Sequence, residues 1–80
     1  MPKTQILSPL PGTFYRRPAP DKPPYKEVAD KVEQGDVVGL VEVMKTFYEV
    51  KAEVAGTITQ FHIQNEEAIQ AGDPIADMES

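Results

Sequence analysis

The chain has 80 residues, with 8 Lys plus Arg against 13 Asp plus Glu, a formal net charge of −5, 40% hydrophobic residues and no cysteine. One small domain fits that length, but an enzyme with a large substrate cleft of its own does not, because so short a chain buries only about 60% of its unfolded surface. Without thiols there is no disulfide framework, thiolate zinc site or cysteine nucleophile, and stability must come from packing.

Seven of the eight prolines fall within the first 24 residues, so that third of the chain is extended or turned, since each proline removes a donor and blocks helical continuation. From Val28 onward, short Val/Ile/Phe/Thr segments alternate with Gly, Asn and Asp, the pattern of an all-β domain. In chain order the expected strands are Lys3–Leu7, Gly12–Tyr15, Lys31–Val32, Val37–Glu42, Thr46–Lys51, Gly56–Ile63 and Ile75–Met78. Val37 to Val41 is apolar on both faces. Ile58 and Phe61 lie on opposite phases of a two-residue period, which predicts a bulge or twist between them. Glu66 to Ala71 reads as a loop entering the Gly72-Asp73-Pro74 turn.

Charge is unevenly spread. Up to Lys26, five basic residues (Lys3, Arg16, Arg17, Lys22, Lys26) face Asp21 alone; from Glu27 onward, Lys31, Lys45 and Lys51 face twelve acids. Most of the chain repels a polyanion, and Arg16-Arg17 is too small a patch to reverse that, so no nucleic-acid partner is expected. The longest apolar run, Val37 to Val41, is broken by Gly39 and far below the roughly 20 residues that span a bilayer, so no membrane partner is expected either. Pro2-Lys3-Thr4 does not open an apolar leader, which makes the expected location cytoplasmic.

An internal repeat organises the chain. Ser8-Pro9-Leu10-Pro11-Gly12-Thr13-Phe14 precedes Ala52-Glu53-Val54-Ala55-Gly56-Thr57-Ile58 by 44 positions, whereas Val32-Glu33-Gln34-Gly35-Asp36-Val37-Val38 precedes Ile69-Gln70-Ala71-Gly72-Asp73-Pro74-Ile75 by 37, and Glu42 matches Glu79 at that same spacing. One insertion of seven residues in the first copy, within the proline-rich stretch Arg16 to Tyr25, accounts for the change of offset. The expected organisation is a single domain over 1–80: a first half-repeat over 8–42, a connecting hairpin over 43–51 and a second half-repeat over 52–79. Two such copies suit a small quasi-symmetric β-sandwich in which each covers the other's apolar face. Gly12, Gly35, Gly56 and Gly72 are expected to serve turns.

The hairpin carries the most informative residues. Tight hairpins recruit Asn-Gly, Asp-Gly or Gly-X because their central residues need positive φ, and Val43-Met44-Lys45-Thr46 has none of these. Met44-Lys45 is the expected tip, and a departure from local turn chemistry of this kind is characteristic of functional sites. A longer turn bearing an ordinary solvated lysine is the competing interpretation.

Glu42-Val43-Met44-Lys45-Thr46 resembles the Glu-Ala-Met-Lys-Met tip of biotin carboxyl carrier domains, in particular the carrier subunits of bacterial acetyl-CoA carboxylases. The setting strengthens the resemblance. Ser8-Pro9-Leu10-Pro11-Gly12-Thr13-Phe14-Tyr15-Arg16 is similar to their Ser-Pro-Met-x-Gly-Thr-Phe-Tyr-Arg opening, and Gly35-Asp36, Val41-Glu42 and Gly56-Thr57 fall where the family has turns and strands. The inserted Arg17-Pro18-Ala19-Pro20-Asp21-Lys22-Pro23-Pro24 resembles the protruding thumb that sets these carriers apart from other biotinyl and lipoyl domains.

The resemblance implies an all-β barrel-sandwich hybrid of two antiparallel sheets with pseudo-twofold symmetry. It also implies biotin joined covalently to the side-chain nitrogen of Lys45. A biotin protein ligase would seat that amine, held neutral, against biotinyl-adenylate, and biotin carboxylase and carboxyltransferase partners would load and unload the arm. Tethering would hold the cofactor near both sites at an effective concentration on the order of millimolar. Met44 and Thr46 would flank the target for the ligase, Glu42 would close the strand leading to the tip, and the thumb would fold over the hairpin and touch the biotin ring. Met44 capping the sandwich edge and Glu42 as a solvated strand residue are the plainer alternatives. Thr46 and Val43 depart from the family's second Met and its Ala.

Two rivals differ in class: a lipoyl carrier, whose family presents Asp-Lys-Ala at the tip, and an unmodified β-sandwich interaction module. A carrier for another biotin-dependent carboxylase is a nearer alternative. Catalysis by the chain itself is not expected, because it shows no phosphate-binding Gly-rich loop and no nucleophile–base set. His62 has no metal-ligand partner at suitable spacing.

Overall fold

A computed structural model describes residues 3–80, which form eight strands and no helix. These are β1 (Lys3–Leu7), β2 (Gly12–Tyr15), β3 (Lys31–Val32), β4 (Val37–Val43), β5 (Thr46–Lys51), β6 (Gly56–Phe61), β7 (Glu67–Ile69) and β8 (Pro74–Glu79). They build two four-stranded antiparallel sheets, ordered β1-β8-β6-β3 and β5-β4-β2-β7.

The expected all-β sandwich is present, with pseudo-twofold symmetry written into its register. Thr13 pairs with Glu42 as Thr57 pairs with Glu79, and Gly12 pairs with Ile69 as Gly56 pairs with Val32. The same two offsets relate Phe47–Glu42 to Lys3–Glu79, so the correspondence reaches β1 and β5, whose letters do not match. With β1–β4 counted as one half and β5–β8 as the other, each sheet takes two strands from each half. Neither half can therefore bury its apolar face without the other.

The core repeats the pattern. Phe14 and Ile58, Val41 and Met78, Val38 and Ile75, and Val32 and Ile69 are matched positions, all 2% exposed or less. The phase conflict between Ile58 and Phe61 is resolved by a register slip between Ile58 and Gln60, which lets Ile58 sit in the core and Phe61 pack against it.

Matched turns lock the halves together. The Ser8 amide donates to the Asp73 carbonyl and the Ala52 amide to the Asp36 carbonyl, both at 2.9 Å. The carboxylates of Asp36 and Asp73 accept from the amides of Glu33 and Gln70, each at 2.9 Å, shaping turns in which Gly35 (φ 90°) and Gly72 (φ 87°) take the left-handed conformation. Gly12 and Gly56 instead open strands; a β-carbon on Gly12 would collide with the Glu42 carbonyl oxygen, too close to be admitted, and one on Gly56 would sit tightly at 3.0 Å from the Glu79 carbonyl oxygen.

The principal difference from expectation is β7. Glu67–Ile69 forms an edge strand, where a loop was expected, because the pairing of Ala68 with Thr13 and the burial of Ile69 are supplied by β2 and the core. β6 stops at Phe61, two residues short of the expected Ile63, although Ile63 still turns into the core. β4 and β8 run slightly longer than expected, to Val43 and from Pro74 to Glu79.

Candidate functional site

β4 and β5 are joined by two residues only, Met44 and Lys45, between the paired Val43 and Thr46. Both have positive φ, 51° and 68°. This is the reversal that matches the right-handed twist of the strands, and a non-glycine residue there costs on the order of 1–2 kcal/mol. The rest of the ladder imposes it. From Val43 back to Gly39, β4 is continuously paired with β5, and Val50 and Val41 are anchored in the core, leaving only two residues for the turn.

The side chains at the tip are exposed. Met44 is 93% accessible, so it does not cap the sandwich edge, and Lys45 and Thr46 are exposed beside it. None of the ion pairs among the described residues, Lys26–Asp36, Lys51–Glu49 and His62–Asp77, engages the Lys45 amine. An amine held this way is open to another protein's active site.

Glu42 is half-buried. Its carboxylate accepts a hydrogen bond from the Tyr15 hydroxyl at 2.9 Å. That bond, then burial, then the charges of Glu42 and Glu66 raise the Tyr15 hydroxyl above its ordinary pKa. The Tyr15 ring also meets Phe47 at a tilted 5.8 Å.

The thumb leaves the sheet directly after Tyr15. The Tyr25 amide closes its base on the Arg16 carbonyl at 2.9 Å, and the Lys22 amide turns back to the Ala19 carbonyl at 3.1 Å. Arg16 anchors it: its guanidinium lies 4.1 Å from the centre of the Phe61 ring and reaches the Lys26 carbonyl at 3.2 Å, while its amide donates to the Asn65 side chain at 2.8 Å. Between thumb and hairpin lies a cleft of about 290 Å³, with Arg17, Pro18, Ala19 and Pro20 on one side and Tyr15 and Phe47 on the other. Asp21, Lys22, Pro23 and Pro24 do not line it.

The cleft brings Tyr15, Phe47 and the first half of the thumb together; Lys45 stands two residues before Phe47 and does not line it. Sequence reasoning missed Tyr15, Asn65 and Glu66. Glu66 is a left-handed non-glycine residue (φ 67°), but only the register reveals it as the counterpart of Ala29 (φ 79°). His62, one residue past the end of β6 and not in a strand, meets Asp77 of β8 at 2.9 Å. No group of His, Cys, Asp or Glu among the described residues is arranged to hold a metal ion, and no helix there is long and apolar enough to cross a membrane.

Residues 4–78 match the family of biotin-requiring enzymes. The chain belongs to that family. This biotin-requiring-enzyme domain is 38% identical, over 89% of its length, to the biotin carboxyl carrier protein of acetyl-CoA carboxylase from Nostoc, of which it spans 39%. It is 40% identical over 88% of its length to the biotin carboxyl carrier protein of acetyl-CoA carboxylase 2, chloroplastic, from Arabidopsis thaliana, of which it spans 28%. Its fold superposes on part of the Kluyveromyces lactis urea carboxylase with a TM-score of 0.78 at 29% identity, covering 99% of this chain and 6% of that one.

Biotin fits the residues present. An exposed amine stands on the tip, and two residues further on the mainly apolar cleft begins at Phe47, with the Arg17 Nε, buried and without a hydrogen-bond partner among the described residues, on the facing thumb.

Proposed function

We propose that this domain is a non-catalytic biotin carboxyl carrier. Lys45 is the attachment point. Its amine takes the biotinyl group from a biotin protein ligase, forming an amide, and the arm moves a carboxyl group from a biotin carboxylase to a carboxyltransferase. The carboxyl-carrying chemistry belongs to the bound cofactor; the protein supplies reach and recognition. Met44 and Thr46 present the ligase's contact surface, and Glu42 acts from behind the tip. Arg17 to Pro20 form the part of the thumb that meets the biotin ring, with Asp21 to Pro24 completing the loop.

One observation carries this reading: Lys45 occupies the second position of a two-residue reversal, exposed and in a backbone conformation that ordinary lysines avoid. The names of the relatives favour acetyl-CoA carboxylase as the parent complex. The likeness to part of a urea carboxylase supports a second reading, a carrier for a carboxylase with an amide-type acceptor.

Intact-mass spectrometry after co-expression with a biotin ligase tests the assignment. We expect one biotinyl group on the wild type and none on Lys45→Arg, which keeps the charge but has no usable nucleophile. A lipoyl adduct or an unchanged wild-type mass overturns it. Supplying the loaded domain to acetyl-CoA and urea carboxylase partners separates the two acceptors.

A further inference from the structure

Tyr15 stands where three parts of the site meet. It is the last residue of β2, and the thumb begins at the next residue, Arg16. Its hydroxyl donates at 2.9 Å to Glu42, three residues before Lys45, and its ring lies 5.8 Å from that of Phe47, two residues after Lys45. One side chain thus touches both strands of the hairpin while its own backbone leads into the thumb. Cross-strand pairing alone does not achieve this, because β2 pairs with β4 but never with β5.

We infer that Tyr15 is a positioning residue that joins the lysine hairpin and the thumb into one mechanical unit, setting the width of the cleft between them. The inference rests on the carrier reading for its purpose but not for its test. Without the hydroxyl, β4 and β5 keep their ladder and the Phe47 ring contact remains, yet the hairpin loses the Glu42 bond, one of the two side-chain ties between it and Tyr15. An arm attached at Lys45 would then meet a cleft of variable width. The ligase would meet a tip of variable attitude.

The unmodified domain provides the first test. In Tyr15→Phe, which keeps the ring and removes the donor, hydrogen exchange should rise together at the amides of Val43 and Thr46 and at the Tyr25 amide that closes the thumb. A rise of about tenfold is expected for losing one charge-assisted hydrogen bond. Exchange at Met78 in the other sheet should not change. Phe47→Ala, which leaves the hydroxyl bond and removes the ring contact, should loosen the same two places. Unchanged exchange at both places, or a rise at the tip with none at Tyr25, overturns the inference.

The second test is spectroscopic. Glu42→Gln should lower the titration midpoint of Tyr15, and an unaltered Tyr15 titration would show that the strut does not form in solution. In ligase assays Tyr15→Phe should raise KM with kcat unchanged; a fall in kcat alone contradicts a positioning role. Coupled exchange in a wild-type domain that the ligase leaves unmodified would uphold the strut and sink the carrier assignment.

Discussion

Gly39 lies against the ring of Phe14. A β-carbon placed on Gly39 would fall 2.5 Å from Phe14 Cε1 and 2.9 Å from the Tyr15 carbonyl oxygen, so the glycine that interrupts the apolar run of β4 makes room for the largest side chain of the core. Phe14 is fully buried. Gly39→Ala should therefore destabilise the domain by about 1–3 kcal/mol through overpacking, and Phe14→Ala by about 3–5 kcal/mol through the cavity it leaves. Urea unfolding monitored by circular dichroism measures both. Equal stability of Gly39→Ala and wild type would contradict the packing described.

Stability and recognition should part company at Met44. Replacing it with Gly relieves a left-handed non-glycine residue, and the domain should gain up to about 1 kcal/mol after the larger entropy of the unfolded chain is set against the relief. The same change removes an exposed thioether beside the target amine. Biotinylation should then show a higher KM despite the stabler fold. Thermal melts and ligase kinetics on one preparation check the pair of outcomes.

Two surface carboxylates make the fold acid-sensitive. The amide of Glu33, then Lys26 at 3.3 Å, lowers Asp36 below the ordinary 3.8, and the Gln5 side chain, then His62, lowers Asp77 likewise. A depressed folded-state value means that the stabilisation is present above the ordinary carboxylate pKa and is lost as pH falls through the folded value. Melting temperature should decline below about pH 4, and Asp36→Asn and Asp77→Asn should each flatten that decline. A wild-type melting curve indifferent to pH across this range would contradict the assignment.

Deleting Arg17 to Pro24 should leave the sandwich folded, because Phe14, Ile58, Ile69, Ile75 and Met78 all lie outside the deleted loop. The four prolines of the loop already limit its conformations, so it closes the cleft at small entropic cost. On the proposed reading, the tethered biotin ring should become more mobile by NMR in the deletion variant. Unchanged mobility would remove the thumb from the binding surface.

β4 was legible because Val37 to Val41 is apolar on both faces, and the tip because no turn-forming residue lies anywhere between Glu42 and Lys51. The slip after Ile58 was legible too, since two core residues on opposite phases require it. β7 was not, because Glu67-Ala68-Ile69 has little strand preference of its own and pairs only when β2 is beside it. Glu42 was found as a motif residue, but its partner was hidden 27 positions upstream.

By itself the sequence determined the periodicities, the two offsets of the repeat and the lysine singled out at a bend, since these follow from local preferences and spacing along one chain. Only the tertiary structure decided which strands share a sheet, that Tyr15 reaches both arms of the hairpin, and that the thumb and Phe47 line one cleft. Those relationships depend on interleaving two halves, and contacts between segments distant in sequence leave no local preference to read.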